Sequence, residues 1–154
     1  MAGVHYGWDR QSKTNILMLD VLADRVRKAA ELSAHESAVD YQETVKTYIE
    51  TQMGASSYEP LSRVWSEMKR IRNLDPRFHI ATGEYLNSFT VHKLSMEGRV
   101  SCLAYLGVVL EYGGVSSTGQ PIPPRPHQMP ALELSLPTVR GRVRRNLRNA
   151  LALR

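Results

Sequence analysis

The sequence predicts an α+β fold: a long N-terminal helix packed on a small antiparallel sheet, with a shorter second helix and a basic C-terminal helix. Three observations predict it. From Asn15 to Met53 the chain has neither Gly nor Pro, and its apolar residues recur every three or four positions. On either side of Met96-Glu97-Gly98 the residues alternate as in paired strands. Residues 136–154 carry six Arg and no acid around an apolar stripe. At 154 residues one continuous core suffices, and a hydrophobic fraction of 42% with 23% charged residues is that of a globular chain.

Residues 1–14 have weak periodicity and two glycines and read as a flexible or assembly arm, with Tyr6 and Trp8 as candidate anchors. Asn15 is placed to cap the first helix. Leu22, Val26, Ala29, Ala30 and Ser33 form its stripe, which resumes at Ala38, Val45, Tyr48, Ile49 and Met53 after a bend between Ser33 and Ser37. Gly54 supplies the stop. A helix of ~38 residues would be ~57 Å long, whereas a compact domain of this size is only about 30–35 Å across, so part of it must project or find a partner.

A second helix is predicted from Pro60 to Arg72, with Leu61, Val64, Trp65, Met68 and Ile71 on its apolar face. Trp65 is expected in the core, and Lys69, Arg70 and Arg72 in solvent. Asp75-Pro76 marks a loop and Thr82-Gly83-Glu84 a turn. The first strand is then read through Leu86, Ser88, Thr90 and His92, with Met96-Glu97-Gly98 as the hairpin loop and Arg99 to Leu106 as the return strand. Cys102 is expected there as a small buried hydrophobe. Gly107 to Gly114 allows one or two helical turns presenting Glu111 and Tyr112. The proline-rich stretch 113–130 is a loop with room for an edge strand between Ile122 and Met129. Pro137 interrupts any helix that starts near Pro130, leaving 136–154 as a basic helix docked through Val139, Val143, Leu147 and Ala150 or Leu151. Residues 15–135, including the 113–130 loop, are thus a single α+β domain between an arm and a basic helix.

The charge is partitioned. Residues 1–135 hold 14 Lys plus Arg and 15 Asp plus Glu, whereas the overall +5 comes from the C-terminal segment. Arg140, Arg142, Arg144, Arg145 and Arg148 can meet DNA, an acidic neighbouring protein or solvent. Contact with DNA would be non-specific and salt-dependent, because no zinc-finger, helix-turn-helix or aromatic-basic strand motif accompanies the arginines. No run approaches the ~20 apolar residues of a membrane span, and no secretory leader is expected. The single Cys102 cannot form an intrachain disulfide.

The histidines, His5, His35, His79, His92 and His127, include no HExxH pair, and no GxSxG elbow or phosphate loop occurs. No catalytic residue, metal or cofactor is expected, and the chain reads as a non-enzyme. Glu111 is the one acid in a motif-like setting, placed to accept backbone amides or an arginine such as Arg125.

The order of these elements resembles the small tail-completion or head-tail joining (neck) proteins of long-tailed double-stranded DNA bacteriophages. The resemblance covers Asn15 to Leu151: a long helix, Thr82-Gly83-Glu84 followed by Leu86 and Ser88, then Tyr105, Leu110, Glu111, Tyr112 and Gly113. Pro124-Arg125-Pro126 and Pro130-Ala131-Leu132 precede the last helix. Two departures stand out. His127 occupies a place where an aromatic often follows the Arg-Pro pair, and Pro60-Leu61-Ser62 with Trp65 is closer to the related virion-morphogenesis proteins of contractile-tailed phages.

The resemblance implies a structural virion protein forming a homo-oligomeric ring, expected to be a hexamer, that joins the capsid connector to the tail and lets DNA pass. A tail terminator or a head-side adaptor ring is the alternative, and a non-specific DNA-binding module a further one. Implied partners are copies of itself, portal or head-side adaptor proteins, tail terminator or tail tube proteins, and double-stranded DNA in the lumen, with no membrane. Its implied location is the neck or tail of a virion assembled in the host bacterial cytoplasm. Thr82, Gly83, Glu111, Gly113 and Arg125 are expected to hold the subunit architecture. For the basic helix, docking on an acidic neighbouring ring is favoured over DNA.

Overall fold

The computed structural model describes residues 10–152, so Tyr6, Trp8 and most of the expected arm lie outside the described residues. The fold is α+β. A single helix, α1, runs from Arg10 to Glu50. It begins five residues before Asn15, because residues 10–14 contain no Gly or Pro to stop it, and Asn15 is therefore helical rather than a cap. It continues unbroken through the expected bend, where Ser33 Oγ and Ser37 Oγ donate to the Ala29 and Ser33 carbonyls. Its end is closed by Gln52, in the left-handed conformation at φ 54°, with Met53 N–H donating to the Tyr48 carbonyl. Gly54, at φ 91°, then turns the chain into the short helical turn Ala55–Ser57.

Helix α2 (Arg63–Ile71) is capped by Ser62, whose hydroxyl accepts from Trp65 N–H. Its apolar face is largely uncovered: Val64 is 76% and Ile71 69% exposed, and Trp65, expected in the core, lies at the surface. Lys69 is corrected in the opposite sense, being buried. Its ammonium donates to the Asp75, Arg77 and Ile80 carbonyls at 2.8, 2.6 and 2.7 Å, so it organises the 73–80 loop.

The segment expected to open the first strand is a helical turn, α3 (Glu84–Asn87), entered through Gly83 at φ 80°. Tyr85 and Phe89, one turn apart, thereby both reach the core. Strand β1 (Thr90–Leu94) pairs antiparallel with β2 (Glu97–Ser101), with Leu94 opposite Glu97 and Thr90 opposite Ser101. Because β1 begins only at Thr90, β2 has no partner beyond Ser101, and the chain enters α4 (Ala104–Tyr112) instead of continuing to Leu106 as a strand. Cys102 is half-buried in the connection. A second ladder joins β3 (Gly114–Val115) to β4 (Pro121–Ile122), and α5 spans Gln128–Leu151.

The hairpin turn is Ser95-Met96, one residue earlier than expected, and Gly98 lies inside β2. The glycine serves a different contact. A Cβ there would run into the Ala34 carbonyl of α1 and come within 2.8 Å of Ala38 Cβ, so only glycine lets the hairpin lie against the helix. Gly98→Ala is expected to lift the hairpin and cost about 1–3 kcal/mol. A urea unfolding curve indistinguishable from the parent's would contradict this.

Helix α5 corrects the C-terminal boundary. Pro137 lies inside it, and the expected division at 135/136 falls within a continuous helix. Proline removes one amide donor, at an exposed position, while Ala131, Ser135 and Ala150 are buried on the opposite side of the helix. Packing along α1 overrides a local penalty of about 3 kcal/mol. The core is Val45, Tyr48 and Ile49 of α1 with Ile80, Tyr85, Phe89 and Ala131, edged by Tyr41, Leu86, Val100, Cys102 and Leu110.

Candidate functional site

Four segments that are distant in sequence meet where α5 begins. Glu111, in the last turn of α4, has its carboxylate buried beneath the first turn of α5. Oε2 accepts the His127 and Gln128 amides at 2.9 Å each, and Oε1 accepts the Met129 amide at 3.0 Å. The residue before the helix, His127, offers no side-chain cap of its own. Glu111 takes that role from sixteen residues away, satisfying donors that no intrahelical carbonyl can reach and setting a negative charge at the helix's positive end. Burial pushes this carboxyl up, but the three amides and the His127 ring outweigh it and hold the group below the usual carboxylate range.

His127 is wholly buried. Its Nε2 is 2.7 Å from the Tyr85 hydroxyl, and Nδ1 is 3.3 Å from the Arg125 carbonyl and 3.5 Å from Glu111 Oε2. The Gln128 side-chain Nε2 donates to Tyr85 Oη at 3.2 Å. These contacts close in one direction if His127 is neutral. Gln128 donates to Tyr85, Tyr85 to His127 Nε2, and His127 Nδ1–H to the Arg125 carbonyl. His79, held at φ 62°, places its ring 4.6 Å from that of His127 and its Nε2 2.9 Å from the same carbonyl. Burial is the main cause that lowers both histidines' pKa values, bringing His79 to about 4.

Arg125 does not pair with Glu111. Its backbone N–H donates to the Leu110 carbonyl, its guanidinium lies 5.2 Å above the Phe78 ring, and Nη2 reaches the Glu59 carbonyl at 3.3 Å. The neighbouring Pro126 carbonyl accepts the Tyr58 hydroxyl. Gly113, at φ 78°, turns the chain out of α4, where a Cβ would come within 2.7 Å of the Ile122 carbonyl. The structure therefore brings Glu111, Gly113 and Arg125 to one junction. Thr82 and Gly83 act at its margin: Gly83 starts the turn that delivers Tyr85, and Thr82 Oγ1 lies 3.4 Å from Glu84 N.

His79, Tyr85 and His127 belong to the junction, yet no sequence motif singles them out. Nearly all its polar atoms have protein partners, apart from the buried Arg125 Nε, and the arrangement fixes an element rather than presenting groups to a substrate. Among the described residues no set of three His, Cys, Asp or Glu is arranged to hold a metal.

A second region is the outer side of α5. Arg142 turns inward and is taken up by Asp40, at 2.7 and 2.8 Å, with Glu36 at 3.6 Å, which removes it from the expected outward set. Arg140, Arg144, Arg145 and Arg148 are exposed and form no ion pair among the described residues. Helices α1 and α5 run antiparallel, for Tyr41 meets Gln128 and Arg25 meets the Asn149 and Ala152 carbonyls. The part of α1 before Arg25 therefore extends about 20 Å beyond the end of α5.

Compared with protein-family models, curated proteins and solved structures, the chain matches none of them.

Proposed function

We propose that this chain is a structural, non-catalytic virion subunit that assembles into a ring, expected to contain six copies, at the head-tail junction of a long-tailed double-stranded DNA phage. There it joins the connector to the tail and leaves a passage for DNA. Its neighbours would be portal or head-side adaptor proteins on one side and tail terminator or tail tube proteins on the other.

The observation that carries this reading is the projecting end of α1, where Leu17, Met18, Leu19 and Val21 are each more than 60% exposed. Apolar side chains on a free arm are a liability unless another subunit covers them. A separate apolar surface is available on α4, where Tyr105 and Tyr112 are each 73% exposed and Val108, exposed three residues after Tyr105, shares their face. Two dissimilar sticky surfaces on one chain suit a head-to-tail contact, and such contacts close into rings when the rotation between copies allows it. The densely hydrogen-bonded junction at α5 supports the same reading, because it gives the subunit a rigid frame.

Native mass spectrometry across a range of salt concentrations tests the proposal. A discrete ring is expected, and Leu17→Asp with Val21→Asp should reduce it to monomer while circular dichroism is unchanged. A parent protein that stays monomeric throughout, even when mixed with tails and filled capsids, would sink the ring. Capture by tails or by filled capsids would separate a tail-side role from a head-side one.

A further inference from the structure

We propose that the outward face of α5 binds the phosphate backbone of double-stranded DNA around Gly141. Arg140, Arg144 and Arg148 recur every four residues, which sets them along the helix at intervals of about 6 Å, with Arg145 beside them. All four are exposed without an ion pair among the described residues, whereas Arg142, on the inner side, is neutralised by α1. The helix has no acid after Glu133. Each free cation is an arginine, whose planar fork matches two phosphate oxygens at once.

Two observations choose DNA over an acidic protein. The first is that no apolar anchor sits at the centre of the face: the exposed positions between Val139 and Ala150 are Arg140, Gly141, Arg144, Arg145, Arg148 and Asn149, and the exposed leucines of this helix, Leu134 and Leu151 among them, lie outside that stretch. Protein interfaces centre on aromatic or aliphatic groups and deplete charge there. A phosphate polymer requires only the charge. Sequence alone favoured an acidic neighbouring ring, but it could not show that the centre of this face holds no such anchor.

The second is Gly141 itself. It sits inside a helix, where glycine is disfavoured, and a Cβ added to it would meet nothing within 4 Å. The fold does not need this glycine. Its neighbours at one, three and four residues are Arg140, Arg144 and Arg145, so helix backbone is bared among guanidinium groups. A phosphate strand can approach there more closely than a side chain would permit. Such a contact reads no bases, which suits a surface past which DNA of any sequence moves.

The inference goes beyond the ring, since one subunit carries the whole face. Fluorescence anisotropy of the full chain with two unrelated 20-bp duplexes tests it, between 50 and 200 mM NaCl. Equal affinity for both duplexes is expected, falling about 150-fold across that range if four phosphates are neutralised. Arg144→Gln should weaken binding and reduce the salt loss to about 40-fold. Gly141→Ala should raise Tm by about 2–4 °C and yet weaken DNA binding several-fold. No binding at 50 mM salt, or binding untouched by Arg144→Gln in a protein with normal circular dichroism, overturns the proposal. Gly141→Ala that stabilises the fold with unchanged affinity removes Gly141 from it. If the parent binds no DNA, and Arg140, Arg144 and Arg148 replaced by Gln abolish the ring, the face is a protein interface. A monomer whose DNA binding follows the arginines would refute the ring and uphold this inference.

Discussion

Glu111→Ala is expected to lower the unfolding free energy by about 3–5 kcal/mol, a large part of the 5–15 kcal/mol typical of a domain. Three backbone amides at the start of α5 converge on this carboxylate, and the His127 amide is in a fully buried residue. Alanine leaves all three without an acceptor, and water has poor access to the His127 amide, whose residue is wholly buried. It also removes the negative charge from the end of the helix where it is most favourable. Because α5 lies along α1, loosening its first turn should expose Ala131 and the adjoining core. Glu111→Gln keeps one acceptor oxygen but turns an NH2 group toward donors, so an intermediate loss is expected. Urea unfolding followed by circular dichroism checks both. Equal stability of the parent and the alanine variant would mean that the cap contributes nothing.

Acid should unfold the protein earlier than its exposed carboxylates alone would. Burial, helped by the nearby His127 and Arg125 charges, holds His79 at about 4 when folded, against about 6.5 when unfolded. Protonation therefore favours the unfolded chain. The stabilisation is complete above the unfolded value and is lost as pH falls from about 6.5 toward 4. For His79 alone the loss is about 2–3 kcal/mol, allowing for its partial exposure. His127, also lowered by burial, acts in the same direction: a proton on Nε2 would confront the Tyr85 hydroxyl that donates to it. Glu111 follows at lower pH, because its depressed pKa means that its contribution is present above the ordinary carboxylate value and is lost as it protonates. Urea midpoints at pH 7.5, 6, 5 and 4 should fall steeply over the last three. His79→Gln, which can still donate to the Arg125 carbonyl, should remove about one proton from that slope. Stability that is flat between pH 7 and 4.5 would contradict the account.

The legible parts of this fold were those written within a few residues of one another. The long helix could be read because its stripe recurs over about nine turns, and Val45, Tyr48 and Ile49 of that stripe are part of the core. The hairpin could be located but not registered, because alternation alone does not reveal that Gly98 must lie against Ala34. Of the residues marked by resemblance, Glu111, Gly113 and Arg125 do meet, though Glu111 serves amides and not the arginine. Lys69 was misread because a lysine among charged neighbours on a helix looks solvated. What buries it is three carbonyls presented by a loop six to eleven residues later.

By itself the sequence determined the α+β class, the presence of one long N-terminal helix, the separation of charge into a near-neutral body and an arginine-rich end, and the lack of a familiar catalytic motif. Periodicity, composition and turn chemistry act locally and are therefore readable along the chain. Only the tertiary structure decided that α5 continues through Pro137, that its cap arrives from α4, that His79 and His127 share one carbonyl, and which arginines face outward. Each depends on contacts between residues far apart in the chain, where the energy of burial and of satisfying buried polar groups exceeds local preference.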